Sequence, residues 1–204
     1  MSDKSIYLAS RSPRRRELLR QIGVTFEIIP LREAPRYPAD VDETPRPDER
    51  PDAYVLRIAR DKAQAAIDIT RVRRLAARPV LAADTTVVCD GAILGKPANT
   101  MDAARMLGLL AAREHRVLTV VAVAGGEGIE TRLSESRVWF RALAADEIRR
   151  YVATGEPTDK AGAYAVQGRA AAFITRIEGS YSGIMGLPLA ETADLLRSHG
   201  IVLP

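Results

Sequence analysis

Short apolar runs alternate with stretches of helical spacing along the whole chain. Residues 6–9 form an apolar run that predicts a buried first strand. Ser10-Arg11-Ser12-Pro13 breaks it, and Ser12 suits a helix cap with Pro13 at the first helical position. Leu18, Leu19 and Ile22 give that helix one apolar face, and Gly23 ends it. A strand is expected at 24–30. Residues 31–51 are rich in Pro, Asp, Glu and Arg and show no period, which predicts a long loop of functional or disordered character. Val55, Ile58, Ala59 and Lys62 then recur at helical spacing within a predicted helix at 52–70.

The second half follows the same alternation. The apolar run 80–83 predicts a buried strand ending at Asp84-Thr85-Thr86, and 87–94 reads as a hairpin around Asp90-Gly91. Gly95-Lys96-Pro97 marks a turn, and Thr100 is expected to cap a helix reaching about residue 112. Strands are expected at 117–123 and 130–140, joined by a turn at 125–128. A short helix at 146–153, a strand at 171–177, a loop at 179–183 and a terminal helix opened by Pro188 complete the pattern. Helices and strands interleave throughout, so the class is α/β, and the hairpins exclude a purely parallel sheet. No internal repeat or linker divides the 204 residues, which predicts one domain spanning 1–204.

Composition narrows the function classes. The chain carries a net charge of +4, but its basic residues are scattered among 26 acidic ones and only 5% of residues are aromatic. That argues against a nucleic-acid surface, which needs basic and aromatic side chains interleaved. No apolar run approaches the roughly 18 residues of a membrane helix, and no secretory signal is visible. A single cysteine, Cys89, excludes an internal disulfide framework. With two histidines it also excludes a soft-ligand zinc site, while leaving a carboxylate-held metal open. The cytoplasm is the expected location. The basic residues are 26 Arg and only four Lys: Lys4, Lys62, Lys96 and Lys160.

Polar groups collect at three strand-to-loop transitions. The first is 10–15, where a Ser-rich turn and a helix N-terminus can cradle an anion beside Arg11, Arg14 and Arg15. A capped surface helix with solvated arginines would look the same. The second joins Asp84, at the end of an apolar strand, to the Gly95-Lys96-Pro97 turn; it reads as a metal-holding or water-activating carboxylate near a phosphate-binding cation, or as an ordinary Asp turn. The third runs from Glu156 to Gly168, where small residues alternate with polar ones, as in a ligand loop or a plain surface loop. His115 reads more simply as a strand-end residue than as a general base. Dinucleotide, P-loop and nucleophile-elbow motifs are missing. Two carboxylates, Asp84 and one from residues 40–43, together with cations and a helix N-terminus suit phosphoryl chemistry on a nucleotide.

These segments together resemble the Maf family of nucleoside triphosphate pyrophosphatases. The resemblance rests on 8–15 with Glu17-Leu18-Leu19, Val41-Asp42-Glu43, 59–63, Ala83-Asp84-Thr85, Leu94-Gly95-Lys96-Pro97, 156–168, and 177–181 through 186–189, in one order over nearly the whole chain. It implies a strongly bent mixed sheet with flanking helices and a cleft between two lobes, like inosine triphosphate pyrophosphatases. It implies hydrolysis between the α- and β-phosphates with a divalent cation, Mg²⁺ or Mn²⁺, and a cytoplasmic, dimeric habit. By the same resemblance Asp84 is the proton acceptor and touches the metal, Glu43 is its acidic partner in metal binding, and Lys62, Lys96 and Lys160 hold phosphates. Ser10 sits in the anion cradle, and Arg14, Thr85 and Gln167 occupy the positions that sort substrates.

Those three sorting residues resemble the dTTP/UTP branch rather than the 7-methyl-GTP branch, which tends to carry Trp, Gln and Glu there. A Gln amide both donates and accepts, matching the O4/N3–H edge of uracil or thymine. The alternatives are 7-methyl-GTP hydrolysis and a non-catalytic nucleotide sensor linked to septum formation. Two departures stand out: extra residues at about 32–39, and Ala170 where the family has Gly. Three of the four lysines fall on positions the resemblance assigns to phosphate binding.

Overall fold

A computed structural model describes residues 5–32, 38–126 and 128–203. Lys4, the centre of the extra segment before Glu43, and Glu127 of the expected 125–128 turn lie outside the described residues. The chain runs β1 (Ser5–Leu8), α1 (Pro13–Gln21), β2 (Thr25–Ile28), α2 (Pro51–Val72), β3 (Val80–Cys89), β4 (Ala92–Leu94), α3 (Thr100–Leu110), β5 (Glu114–Gly125), β6 (Gly128–Phe140), α4 (Ala145–Val152), β7 (Ile174–Glu178), α5 (Tyr181–Met185) and α6 (Leu189–Ser198). The strands join in one seven-stranded sheet, ordered β2-β1-β3-β5-β6-β7 with β4 paired to β3. Parallel β1–β2 and β1–β3 pairings and antiparallel β3–β4 and β6–β7 pairings make it mixed, as an α/β chain with hairpins requires. Among the described residues no helix is long and apolar enough to cross a membrane.

The residues gather into two compact units. One draws on Met1–Asp84, Thr119–Leu133 and Gly186–Pro204, the other on Thr85–Leu118 and Ser134–Met185. In the first unit, α1 starts as its sequence dictates. Ser12 caps it by accepting the Arg15 N–H, Pro13 opens it, Leu18 and Leu19 are buried, and Gly23 leaves it at φ 72°. Along α2, Val55, Ile58, Ala59, Ala63 and Ala66 form one fully buried stripe.

In the second unit, β3 and β4 turn through Asp90-Gly91, both at positive φ as the expected two-residue hairpin demands. The core gathers Leu107, Leu110, Phe140, Tyr151, Tyr164 and Phe173 among others. Phe140 meets Tyr164 edge-on at 4.9 Å, and Tyr151 meets Phe173 at 5.1 Å.

Several expectations need correcting. The first strand after α2 does not stop at Asp84; β3 runs ten residues through it, because Thr85, Thr86, Val87 and Val88 are β-branched and continue the strand. The cap of α3 is Asn99, whose Oδ1 accepts the Asp102 N–H at 2.9 Å, and not Thr100. The start of β5 extends back to Glu114, where Glu114 and Arg116 face outward onto Arg137 and Glu135 while His115 turns inward. Residues 169–173 form a 3₁₀ turn ahead of β7, and the expected loop at 179–183 winds into α5.

His115 is a core residue. Its Nε2 lies 2.8 Å from the Tyr164 hydroxyl and its Nδ1 has no hydrogen-bond partner. Burial lowers its pKa to about 4. Below its ordinary value of 6.5 the unfolded chain takes up a proton that the folded chain refuses. The stability it permits is whole above pH 6.5, falls as pH drops toward 4, and levels off below that. Urea unfolding at pH 7 and pH 4.5 should show the parent chain losing about 2 kcal/mol more than His115→Gln, whose amide stays neutral. Equal losses would contradict this assignment.

Candidate active site

Lys62 stands at the centre of the first unit's polar groups. It leaves the buried stripe of α2 at its edge, one residue before Ala63. Its Nζ donates to Asp84 Oδ1 at 2.7 Å and lies 2.8 Å from Glu43 Oε1. The Lys62 and Asp84 side chains are only 14% and 11% exposed, whereas Glu43 is 41% exposed. Burial alone would pull the ammonium's pKa down, but Asp84 and Glu43 override it and leave it raised. Asp84 reaches this point because β3 carries it, buried, past the end of its pairing with β1 at Leu81.

Glu43 lies in an aperiodic loop, yet that loop is fixed. Arg57, two turns into α2, forks into it: Nε and Nη2 donate to both Glu49 carboxylate oxygens at 2.7 Å, Nη1 to the Asp42 carbonyl and Nη2 to the Thr44 carbonyl, both at 3.1 Å. The fork holds the Glu49 carboxyl down at about 2. Tyr54, one turn earlier, donates its hydroxyl to the Glu43 carbonyl at 3.0 Å. Burial, then Asp84 and Glu43, push the Tyr54 phenol up, so it remains a donor. The carbonyls on both sides of Glu43 are thus taken by Arg57, and its own by Tyr54.

The 10–15 cradle is narrower than expected. The Ser10 hydroxyl is buried and accepts the Ser12 N–H at 3.2 Å, while the Ser12 hydroxyl accepts the Arg15 N–H at 3.4 Å. Two backbone donors of the turn are therefore spent within it. Arg15 adds a side chain: Nε donates to the Gly186 carbonyl at 2.7 Å and Nη1 to Ser10 Oγ at 3.4 Å. Burial lowers the Arg15 pKa against the pull of Asp84 and Glu43. Arg14 is half-buried on the same first turn.

The remaining candidates lie in the second unit. Thr85, half-buried, follows Asp84 directly on β3. Lys96 is exposed on a turn anchored by buried Pro97 and by the Gly162 N–H, which donates to the Gly95 carbonyl at 3.1 Å. Gly162 sits at φ 66° with Val87 where a Cβ would go, so the small residues at 161–163 serve close packing. Lys160 donates to the Glu156 carbonyl at 2.6 Å and pairs with Asp159. Gln167 is exposed at the turn that follows.

The structure therefore brings Asp84, Glu43 and Lys62 into direct contact and sets Ser10 and Arg14 in the same unit. Sequence reasoning missed Arg57 and Tyr54 altogether and gave Arg15 only a general cationic part. The available signal was their i, i+3 spacing on the same helix as Lys62.

Two hard oxygen donors converging on one cation suit Mg²⁺ or Mn²⁺, which take one or two carboxylates together with substrate phosphates. Among the described residues no group of three or more His, Cys, Asp or Glu could hold a metal by itself.

Arg57→Ala should free the Glu43 loop. Hydrogen–deuterium exchange across residues 42–50 should rise about tenfold or more, and Arg57→Lys should restore less than half of the protection, since an ammonium cannot fork. Unchanged exchange in Arg57→Ala would remove Arg57 from this role.

Comparisons with known proteins agree in one direction. The family model for Maf-like protein matches residues 5–199. A protein of Aromatoleum aromaticum named dTTP/UTP pyrophosphatase is 58% identical over 97% of this chain and 97% of its own length. Another so named, from Nitrosospira multiformis, is 57% identical over 98% of this chain and 96% of its own. Among solved structures, the Staphylococcus aureus Ham1 protein matches with a TM-score of 0.43 and 17% identity over 69% of this chain and 72% of that one, too distant to carry weight. With a family model spanning almost every described residue and relatives above half identity at full length, the chain belongs to the Maf-like protein family.

Proposed function

We propose that this chain is a nucleoside triphosphate pyrophosphatase that hydrolyses dTTP and UTP between the α- and β-phosphates, giving the nucleoside monophosphate and pyrophosphate. The observation that carries this reading is the buried Asp84–Lys62 pair with Glu43 beside it, in a chain whose full-length relatives are named for that activity. Modified pyrimidine nucleotides fall within the same chemistry, and their removal would keep them from polymerases.

Asp84 takes the proton of the attacking water. Its carboxylate is desolvated and oriented by the Lys62 ammonium, so it meets the water in one pose. Lys62 also keeps positive charge where phosphate oxygens gain negative charge in the transition state. A divalent cation held by Asp84 and Glu43 would supply neutralisation of the phosphate charge. That Lys62 already lies between these carboxylates supports their fitness for a cation. Lys96 and Lys160 act as compact, rotatable donors to phosphate oxygens, and Ser10 with the first turn of α1 takes part in anion binding. Arg14, Thr85 and Gln167 sort the base, Gln167 by pairing with the O4/N3–H edge. A wrong base leaves polar groups unpaired, which makes such discrimination strong. The cytoplasmic location and the homodimer rest on the family resemblance alone.

A panel of nucleoside triphosphates assayed for pyrophosphate with Mg²⁺ or Mn²⁺ should show dTTP and UTP well ahead of GTP and 7-methyl-GTP. The reverse order would overturn the substrate assignment. Asp84→Asn should lose turnover while retaining fold and nucleotide binding, and near-normal pyrophosphate release from that variant would exclude Asp84 as the base.

A further inference from the structure

Glu156 has no role in the reaction described so far, yet its side chain organises the turn that carries Gln167. It opens the 3₁₀ turn Glu156–Asp159. Its Oε1 accepts the Tyr151 hydroxyl at 2.8 Å, and its Oε2 accepts the Arg169 N–H at 3.1 Å. Tyr151 is a rigid anchor, buried in the aromatic core against Phe173. Burial and the bond to Glu156 both push its phenol up, so it remains a donor.

The residue between Gln167 and Arg169 shows how tight this arrangement is. A Cβ at Gly168 would lie 2.3 Å from Glu156 Oε1 and 2.6 Å from Cδ. Gly168 has φ −102°, which any residue adopts, so glycine is required there for space and not for backbone freedom. The Gly168 N–H closes onto the Ala165 carbonyl at 3.0 Å, and the Ala171 N–H onto the Gly168 carbonyl at 3.1 Å. Gln167 therefore projects from a turn whose following two residues rest on one carboxylate. The same Glu156 holds Lys160 as well, since its backbone carbonyl accepts Lys160 Nζ at 2.6 Å.

We propose that Glu156 is a positioning residue for base recognition: anchored on Tyr151, its carboxylate sets the 167–169 turn so that Gln167 presents its amide in one orientation to the pyrimidine edge. This inference rests on the dTTP/UTP reading above and adds the element that makes Gln167 selective. An exposed glutamine on a loose turn would rotate to suit several bases and lose discrimination, because orientation sets which hydrogen-bond edge it offers.

The test compares the parent chain, Glu156→Ala, Glu156→Gln and Gly168→Ala with dTTP, UTP and GTP. Glu156→Ala should lower the dTTP:GTP ratio of kcat/KM about tenfold, mainly through a higher KM for dTTP, since a hydrogen bond to a charged group is being lost. Glu156→Gln should keep the ratio within about twofold of the parent, because a tyrosine hydroxyl can accept the amide N–H while the amide oxygen accepts Arg169 N–H. Gly168→Ala should reproduce the loss of selectivity by crowding the carboxylate, and it carries the test if Glu156→Ala does not fold. An unchanged ratio in the folded variants, or an equal fall for every nucleotide, would overturn the proposal. A parent chain with no preference for dTTP and UTP over GTP would instead overturn the substrate reading on which it rests.

Discussion

The contact on which the rest depends is the ammonium of Lys62 set against Asp84 and Glu43. A carboxylate as buried as Asp84, in the middle of a ten-residue strand, is costly without a partner. Removing one member of such a pair leaves the other uncompensated, at a cost of about 3–5 kcal/mol. The surrounding architecture serves this contact. The buried stripe of α2 fixes the helix that presents Lys62, and β3 carries Asp84 through without a break. Arg57 and Tyr54, on the same helix as Lys62, hold the loop that brings in Glu43. One helix thus supplies both the central cation and the two groups that place its second carboxylate.

The two units use the same device at different scales. In the first, one arginine fork turns an aperiodic loop into an ordered support by occupying its carbonyls and its acid. In the second, one carboxylate ties the 167–169 turn to the core by accepting the Arg169 N–H and the Tyr151 hydroxyl. In both, a single branched polar group bonds backbone that a loop would otherwise leave to water: two carbonyls for Arg57, one N–H for Glu156. Such loops hold the side chains that they carry in register on a fixed backbone.

Much of the fold was legible in the sequence because it rests on local rules. Ser12-Pro13 opens α1, Asp90-Gly91 turns the β3–β4 hairpin, and the apolar spacing from Val55 to Ala59 marks the buried face of α2. Asp84 misled the reading of β3, since an acid after an apolar run resembles a strand end. It stays inside the strand because Lys62, 22 residues earlier, neutralises it, and that pairing has no local signature. His115 stands one residue into β5, near the strand end that the sequence suggests, and its Nε2 meets the Tyr164 hydroxyl. That its imidazole faces the core was not legible, because it depends on Glu114 and Arg116 pairing across the sheet with Arg137 and Glu135. Of the Asp84–Glu43 contact, Lys62 carried a mark of its own, because a chain with 26 arginines keeps lysine at only four positions. Arg57 and Glu156 left no such mark, since their importance lies in backbone atoms they meet through folding.

The scarcity of lysine bears most directly on Lys62. A planar guanidinium carries the same charge but is longer and broader than an ammonium, so it cannot take the place of a point charge 2.7 and 2.8 Å from two carboxylates without moving them. Steady-state pyrophosphate release from dTTP by Lys62→Arg, with circular dichroism to confirm the fold, isolates geometry from charge. The account predicts a folded protein whose kcat/KM falls about a hundredfold or more; a folded variant within about twofold of the parent would contradict it.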